Sequence, residues 1–191
     1  MSSKGGTKVR FDGALTEVGR RAIIRLPEAA SKQLPSRGQV AVSGTLTLAS
    51  PKSGSGAGRS FLTVIEPDGY FGHFISVDAK LQKAAKLRPG DEVRVEMEPA
   101  AEWPEPRVPE DLKQALASAP QAIRELWAAI TPMARWEWVR WVNETKNPST
   151  RKRRVEVSIS KLSQGKRRPC CFNLASCTDP ELAKSGKLAL G

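Results

Sequence analysis

The chain has 191 residues, with 31 Lys and Arg against 20 Asp and Glu, a net charge of +11, and is 39% hydrophobic and 27% charged. This composition is globular and excludes collagen-like and disordered chains; no run approaches the roughly eighteen apolar residues of a membrane span. Three cysteines, close together, exclude a disulfide framework, and the N-terminal stretch has no apolar signal core, so a cytoplasmic protein of one domain or two small ones is expected.

The first hundred residues are β-rich. Val9–Leu15 alternates apolar and polar, the period of a strand with one buried face. Ala22–Leu26, Gln39–Leu48, Phe61–Ile65, His73–Val77 and Glu92–Met97 are further strands, separated by Gly, Pro and Ser turns. Two stretches repeat one unit, Ile24–Val42 and Ile75–Val95: a strand, a polar residue, one or two helical turns, a Gly, then an alternating strand. Such a duplication predicts two interlocking halves, since neither copy buries its apolar face alone.

Four prolines between Pro99 and Pro109 mark residues 99–108 as a semi-rigid linker. Helices follow. The first opens at Pro109 and places Leu112, Leu116 and Ala119 on one face; Gln121–Ile130 does the same with Ile123, Leu126, Trp127 and Ile130. Met133–Asn143 carries Trp138, Trp141 and Val142. A fourth helix begins after Asn147-Pro-Ser-Thr, with Ser149 or Thr150 as cap, aligns Val155, Ile159 and Leu162, and stops at Gly165. Residues 169–191 have no recognisable pattern and are expected to be a mobile, Cys-containing tail.

Leu87-Arg-Pro-Gly-Asp-Glu-Val-Arg-Val, with the strand and short helix before it, resembles the AbrB-type swapped-hairpin half-barrel, here with both halves in one chain over residues 8–98. The resemblance extends to the domain of unknown function found ahead of bacteriocin-protection domains. It implies a duplicated, double-split β-barrel that closes without a partner, so that a monomer suffices. Because AbrB-type barrels bind DNA, it also implies contacts through Arg20, Arg21, Arg25 and Lys32. Val108–Leu116, Trp136–Val142, Thr150–Glu156 and Gly165–Phe172 resemble the bacteriocin-protection (YdeI/OmpD-associated) family. The expected architecture is thus α+β: the barrel (8–98), the linker (99–108), a small all-α domain (109–168) and the tail (169–191).

The charge is concentrated. Residues 1–100 hold fifteen basic and ten acidic side chains, and residues 101–139 four and six; Arg140–Arg168 holds ten basic residues against Glu144 and Glu156. Arg151, Lys152, Arg153 and Arg154 open the fourth helix, where each cation opposes the helix dipole by up to about 1 kcal/mol. Lys166, Arg167 and Arg168 follow its end. An unfavourable placement suggests a use, and phosphate suits arginine's paired donors, so these seven residues are the candidate nucleic-acid contacts. A solvated face, with Glu144 and Glu156 as partners, accounts for the same run, and Arg151 or Arg154 could instead pack on tryptophan. An acidic protein is the alternative partner.

No catalytic constellation is legible. His73 lacks a neighbouring nucleophile and reads as structural. Ser53–Ser60 departs from a phosphate-binding loop, with Ser for its first Gly, Arg for its Lys, and a strand after it. Cys170, Cys171 and Cys177 fall short of a four-ligand zinc site, although thiols beside Lys166, Arg167 and Arg168 would favour the thiolate and open a redox alternative. Trp136, Trp138 and Trp141 could stack bases, but their helical spacing favours core packing. The residues point to a non-enzymatic binding protein with no cofactor or metal, and the resemblance implies one of the bacteriocin-protection type.

Overall fold

Period-two alternation produces six strands: β1 (Val9–Val18), β2 (Arg21–Arg25), β3 (Val40–Leu48), β4 (Arg59–Pro67), β5 (His73–Val77) and β6 (Glu92–Pro99). Short helices α1 (Glu28–Ser31) and α2 (Ala79–Ala85) lie between them. The computed structural model describes residues 7–50, 58–169 and 173–189. Its contacts separate two units. The first comprises residues up to Pro104 with 174–177 and 181–189; the second comprises 105–169, 173 and 178–180.

In the first unit the strands form a closed antiparallel barrel in the ring order β1-β2-β5-β4-β3-β6. Val9, Phe11 and Leu15 of β1 point inward with Val42 and Leu46 of β3 and Val93 and Val95 of β6. β2 meets β5 with Ile24 opposite Ile75, and β3 meets β6 with Gly44 opposite Met97. Asp78 caps α2 by accepting from the Leu81 N–H at 2.7 Å. Gly90, at φ +91°, makes the reversal into β6 that a side chain would disfavour.

Strands β2 and β5 are buried on both faces. Ile24 and Ile75 face the barrel interior, whereas Ile23 and Phe74 join Cys177, Leu182 and Leu188 in a separate apolar cluster. The cover is the C-terminal segment, which forms a hairpin of β7 (Ala183–Lys184) and β8 (Lys187–Leu188). Ser185 and Gly186, both at positive φ, make its two-residue turn. The expectation of a mobile tail is corrected here for residues 174–177 and 181–189. They pack because Cys177, Leu182 and Leu188 occupy the outer face that Ile23 and Phe74 would otherwise expose. Cys170 and Cys171 lie outside the described residues, as do positions 53–57 of the glycine-rich stretch.

The second unit holds four helices: α3 (Glu110–Ala117), α4 (Gln121–Ala129), α5 (Pro132–Asn143) and α6 (Pro148–Ser163). The apolar stripes seen in the sequence meet around fully buried Trp138, with Leu112, Leu116, Ile123, Val142, Val155 and Leu162. Asn147, not Ser149 or Thr150, caps α6: its Oδ1 accepts from the Thr150 N–H at 3.0 Å. Pro148 at the first helical position decides this, because its ring presets φ and lacks the N–H that would go unpaired there. At the other end Gly165 (φ +76°) closes α6, with its N–H on the Leu162 carbonyl and the Lys166 N–H on the Lys161 carbonyl. No described helix is long and apolar enough to cross a membrane.

Candidate functional site

Helices α3, α4 and α5 end at Ser118, Ile130 and Glu144, none followed by a capping glycine. Their last carbonyls therefore need other donors. Arginines supply them. Arg124 donates to the carbonyls of Ala117 and Ala119, and Arg135 to those of Trp127, Ala128 and Ile130. Arg135 also holds Glu105 through two bonds. Cations at these negative dipole ends are favoured as well as hydrogen-bonded.

Much of the basic run in the sequence does the same work. Arg151 grips Asp111 of α3 with Nε at 2.6 Å and Nη2 at 3.0 Å, and its Nη1 reaches Asn143 Oδ1 at 3.0 Å. That hydrogen bond holds the Asp111 carboxyl below its ordinary range. Arg154 donates to the Trp141 carbonyl at 2.5 Å and to Glu144 at 2.8 Å, and its guanidinium lies 5.4 Å from the Trp141 ring centre. Lys161 sits 5.7 Å from the same ring. Arg168 holds the buried carboxylate of Glu137 with both arms, which raises the guanidinium pKa further. Arg167 bonds the Ala129 carbonyl, while its own carbonyl accepts from Trp138 Nε1 at 3.1 Å.

The seven predicted contacts thus divide. Arg151, Arg154 and Arg168 are fastened to carboxylates of the same unit. Lys152, Arg153 and Lys166 are exposed, with no ion-pair partner among the described residues; Arg167 is exposed with a single carbonyl bond. Lys152–Arg153 lie in the N-terminal half of α6 and Lys166–Arg167 beyond its end at Ser163, with the helix rising about 16 Å between Lys152 and Ser163 at about 1.5 Å per residue. Of the tryptophans, Trp138 is buried and Trp141 lies beneath two cations, so neither offers an open stacking face.

On the barrel, Arg25 is paired with Asp68 at 2.8 Å and Lys32 with Glu28, and Arg21 reaches Ser76 Oγ; Arg20 is exposed. His73 is fully buried. Its Nε2 lies 3.0 Å from the Gly38 carbonyl, which can only accept, so the proton is on Nε2 and Nδ1 accepts from Ser31 Oγ at 3.3 Å. Burial lowers its pKa below the ordinary histidine value. Cys177 is buried among apolar side chains.

Residues 105–165 match the family described as bacteriocin-protection, YdeI or OmpD-associated, and residues 11–97 match a domain of unknown function, DUF1905. The helical unit is thus similar to the bacteriocin-protection family and the barrel to the DUF1905 domain, each match lying within one unit of the chain. The carboxylate-paired arginines of the helical unit escape sequence reasoning because their partners are remote: Arg151 is 40 residues from Asp111, and Arg168 is 31 from Glu137. One signal was available, the absence of glycine after α3, α4 and α5. No curated protein matches the chain.

Proposed function

We propose that this protein is of the bacteriocin-protection type and acts by binding an extended polyanion, with nucleic acid as the best chemical fit, along α6. The observation that carries this is the set of exposed cations left after internal pairing: Lys152 and Arg153 in the N-terminal half of the helix, Lys166 and Arg167 beyond its end. A compact anion spans one pair; a phosphate chain spans both. Neutralising four phosphates gives a slope of log affinity on log salt near −3.6 for duplex DNA. Lys152→Ala with Arg153→Ala should reduce that slope by about 2. A gel-shift titration across salt concentrations tests it: a salt-independent affinity, or a slope unchanged in the double variant, removes the proposal. If only acidic proteins bind, the partner is a protein surface instead.

We also propose that the barrel is an internal duplication of AbrB-like topology. Exchanging β1 with β4, β2 with β5 and β3 with β6 returns the ring order β1-β2-β5-β4-β3-β6 unchanged. The repeat found in the sequence begins at Ile24 and Ile75, and those residues are cross-strand partners at the centre of the β2–β5 pairing. Equivalent strands meeting about one central pair is what a pseudo-twofold axis requires. The ring then closes within one chain, and an oligomer is unnecessary for folding.

A further inference from the structure

The turn between β4 and β5 holds two exposed aromatic side chains in succession, Tyr70 (43% exposed) and Phe71 (77%). Phe71 adopts φ +68°, a left-handed conformation that a bulky residue adopts only under constraint. The constraint is visible. Asp68 Oδ1 accepts from the N–H groups of Tyr70 (2.7 Å) and Gly72 (2.9 Å), the Asp68 N–H donates to the Gly72 carbonyl, and Arg25 holds the other carboxylate oxygen. From outside, the Leu188 N–H donates to the Asp68 carbonyl at 2.8 Å, and Gly69 abuts Gly186 so closely that a Cβ there would lie 2.2 Å from the Gly186 carbonyl oxygen. The C-terminal hairpin therefore clamps the turn. All of this fixes the backbone of a turn whose phenylalanine ring stays mostly in solvent.

Cations stand beside the Tyr70 ring and the Phe71 backbone. Lys187 Nζ lies 5.1 Å and the Arg25 guanidinium 6.0 Å from the centre of the Tyr70 ring, and Arg37 donates to the Phe71 carbonyl at 2.9 Å. Neither Arg37 nor Lys187 has an ion-pair partner among the described residues. Tyr70 gathers positive charge while the Phe71 ring stays open to solvent. An open aromatic face on a fixed turn, beside cations without an ion-pair partner among the described residues, is the arrangement that stacks an unpaired base and holds its phosphates. Duplex DNA presents no free base face to such a protruding ring.

We infer that the Tyr70–Phe71 turn of the barrel is a binding site for single-stranded nucleic acid, with Phe71 stacking on a base and Arg37 and Lys187 contacting phosphate. This site is separate from α6 and stands without it. The test is fluorescence anisotropy with a short labelled oligo(dT) and a duplex of equal length, on the full chain. Phe71→Ala should weaken oligo(dT) binding roughly 5- to 150-fold and leave duplex binding unchanged. Phe71→Gly should weaken it equally while melting at or above the wild-type temperature, because glycine relieves the positive φ; loss of binding is then not loss of fold. The same fold-change should persist when Lys152→Ala and Arg153→Ala are added. Wild-type affinity in Phe71→Ala, or no preference for the single strand, overturns the inference; if Lys152→Ala/Arg153→Ala alone abolishes binding, the α6 proposal stands and this one falls. Should Phe71→Ala instead lose only co-sedimentation with phosphatidylglycerol vesicles, the surface belongs to a membrane and the inference is overturned.

Discussion

Replacing Arg168 by Ala should behave as a folding mutation, although its place in a basic run marks it as a binding residue. The Glu137 side chain is 9% exposed and the Arg168 side chain 51%. Removing the guanidinium leaves a nearly buried carboxylate without its two donors. Breaking a fully buried pair costs about 3–5 kcal/mol, whereas an exposed pair contributes less than about 1. With one partner half solvated, the cost lies between, at about 2 kcal/mol. For a domain of this size each kcal/mol lowers the melting temperature by about 4–8 °C, so a drop of about 8–16 °C is expected by circular dichroism. Adding Glu137→Gln should restore part of the loss, because the stranded charge is gone. Lys152→Ala with Arg153→Ala should melt within about 0.5 kcal/mol of wild type. The reasoning is refuted if Arg168→Ala melts with the wild type, or if Glu137→Gln in its background brings no recovery.

Arg151→Lys keeps the charge but loses the fork that spans Asp111 and Asn143; it should destabilise by about 1 kcal/mol, measured by urea denaturation, with polyanion affinity unchanged. His73 is held neutral by burial, with a folded pKa below the unfolded value near 6.5. The unfolded chain therefore binds the proton first, and stability should fall as pH drops below about 6.5, by at most about 1.4 kcal/mol per pH unit. Melts at about pH 7.5 and about pH 5.5 should show this fall, and His73→Gln should flatten it. A Cβ at Gly44 would lie 2.2 Å from the Glu96 carbonyl oxygen and 2.8 Å from Met97 Cα, so Gly44→Ala should cost at least about 1–3 kcal/mol in the urea midpoint. Leu188→Ala empties a fully buried site against Ile23 and Phe74 and should cost about 2–5 kcal/mol, with faster proteolysis of the Tyr70–Phe71 turn.

The elements were legible because each has one buried face. Val9, Phe11 and Leu15 repeat at the strand period, and Val155, Ile159 and Leu162 at the helical one. Which strand lies beside which was harder, since β3 against β6 pairs residues about fifty apart, and only the repeat of Ile24–Val42 in Ile75–Val95 hinted at it. The packing of the C-terminal segment was written less openly. Adjacent Ile23 and Ile24, and adjacent Phe74 and Ile75, cannot all face one core, so something had to cover the second face. Composition after residue 169 gave no sign that Leu182 and Leu188 were that cover. Nor does periodicity register Tyr70 and Phe71, because a turn has no buried face to report.

Charge was the least legible property, and its outcome follows from side-chain chemistry. Between Arg140 and Arg168 the planar, five-donor guanidiniums of Arg151, Arg154, Arg167 and Arg168 go to carboxylates and to carbonyls at helix ends, where a fork satisfies two acceptors at once. The ammonium groups of Lys152 and Lys166 remain in water. A net-charge sum counts paired and exposed cations alike, yet only the exposed ones, Arg153 and Arg167 among them, are available to a partner. α6 begins at Pro148, so Arg151–Arg154 stand at its fourth to seventh positions, largely past the first turn in which the dipole acts. Arg151 and Arg154 are neutralised by Asp111 and Glu144, which leaves Lys152 and Arg153 as the exposed cations of that stretch.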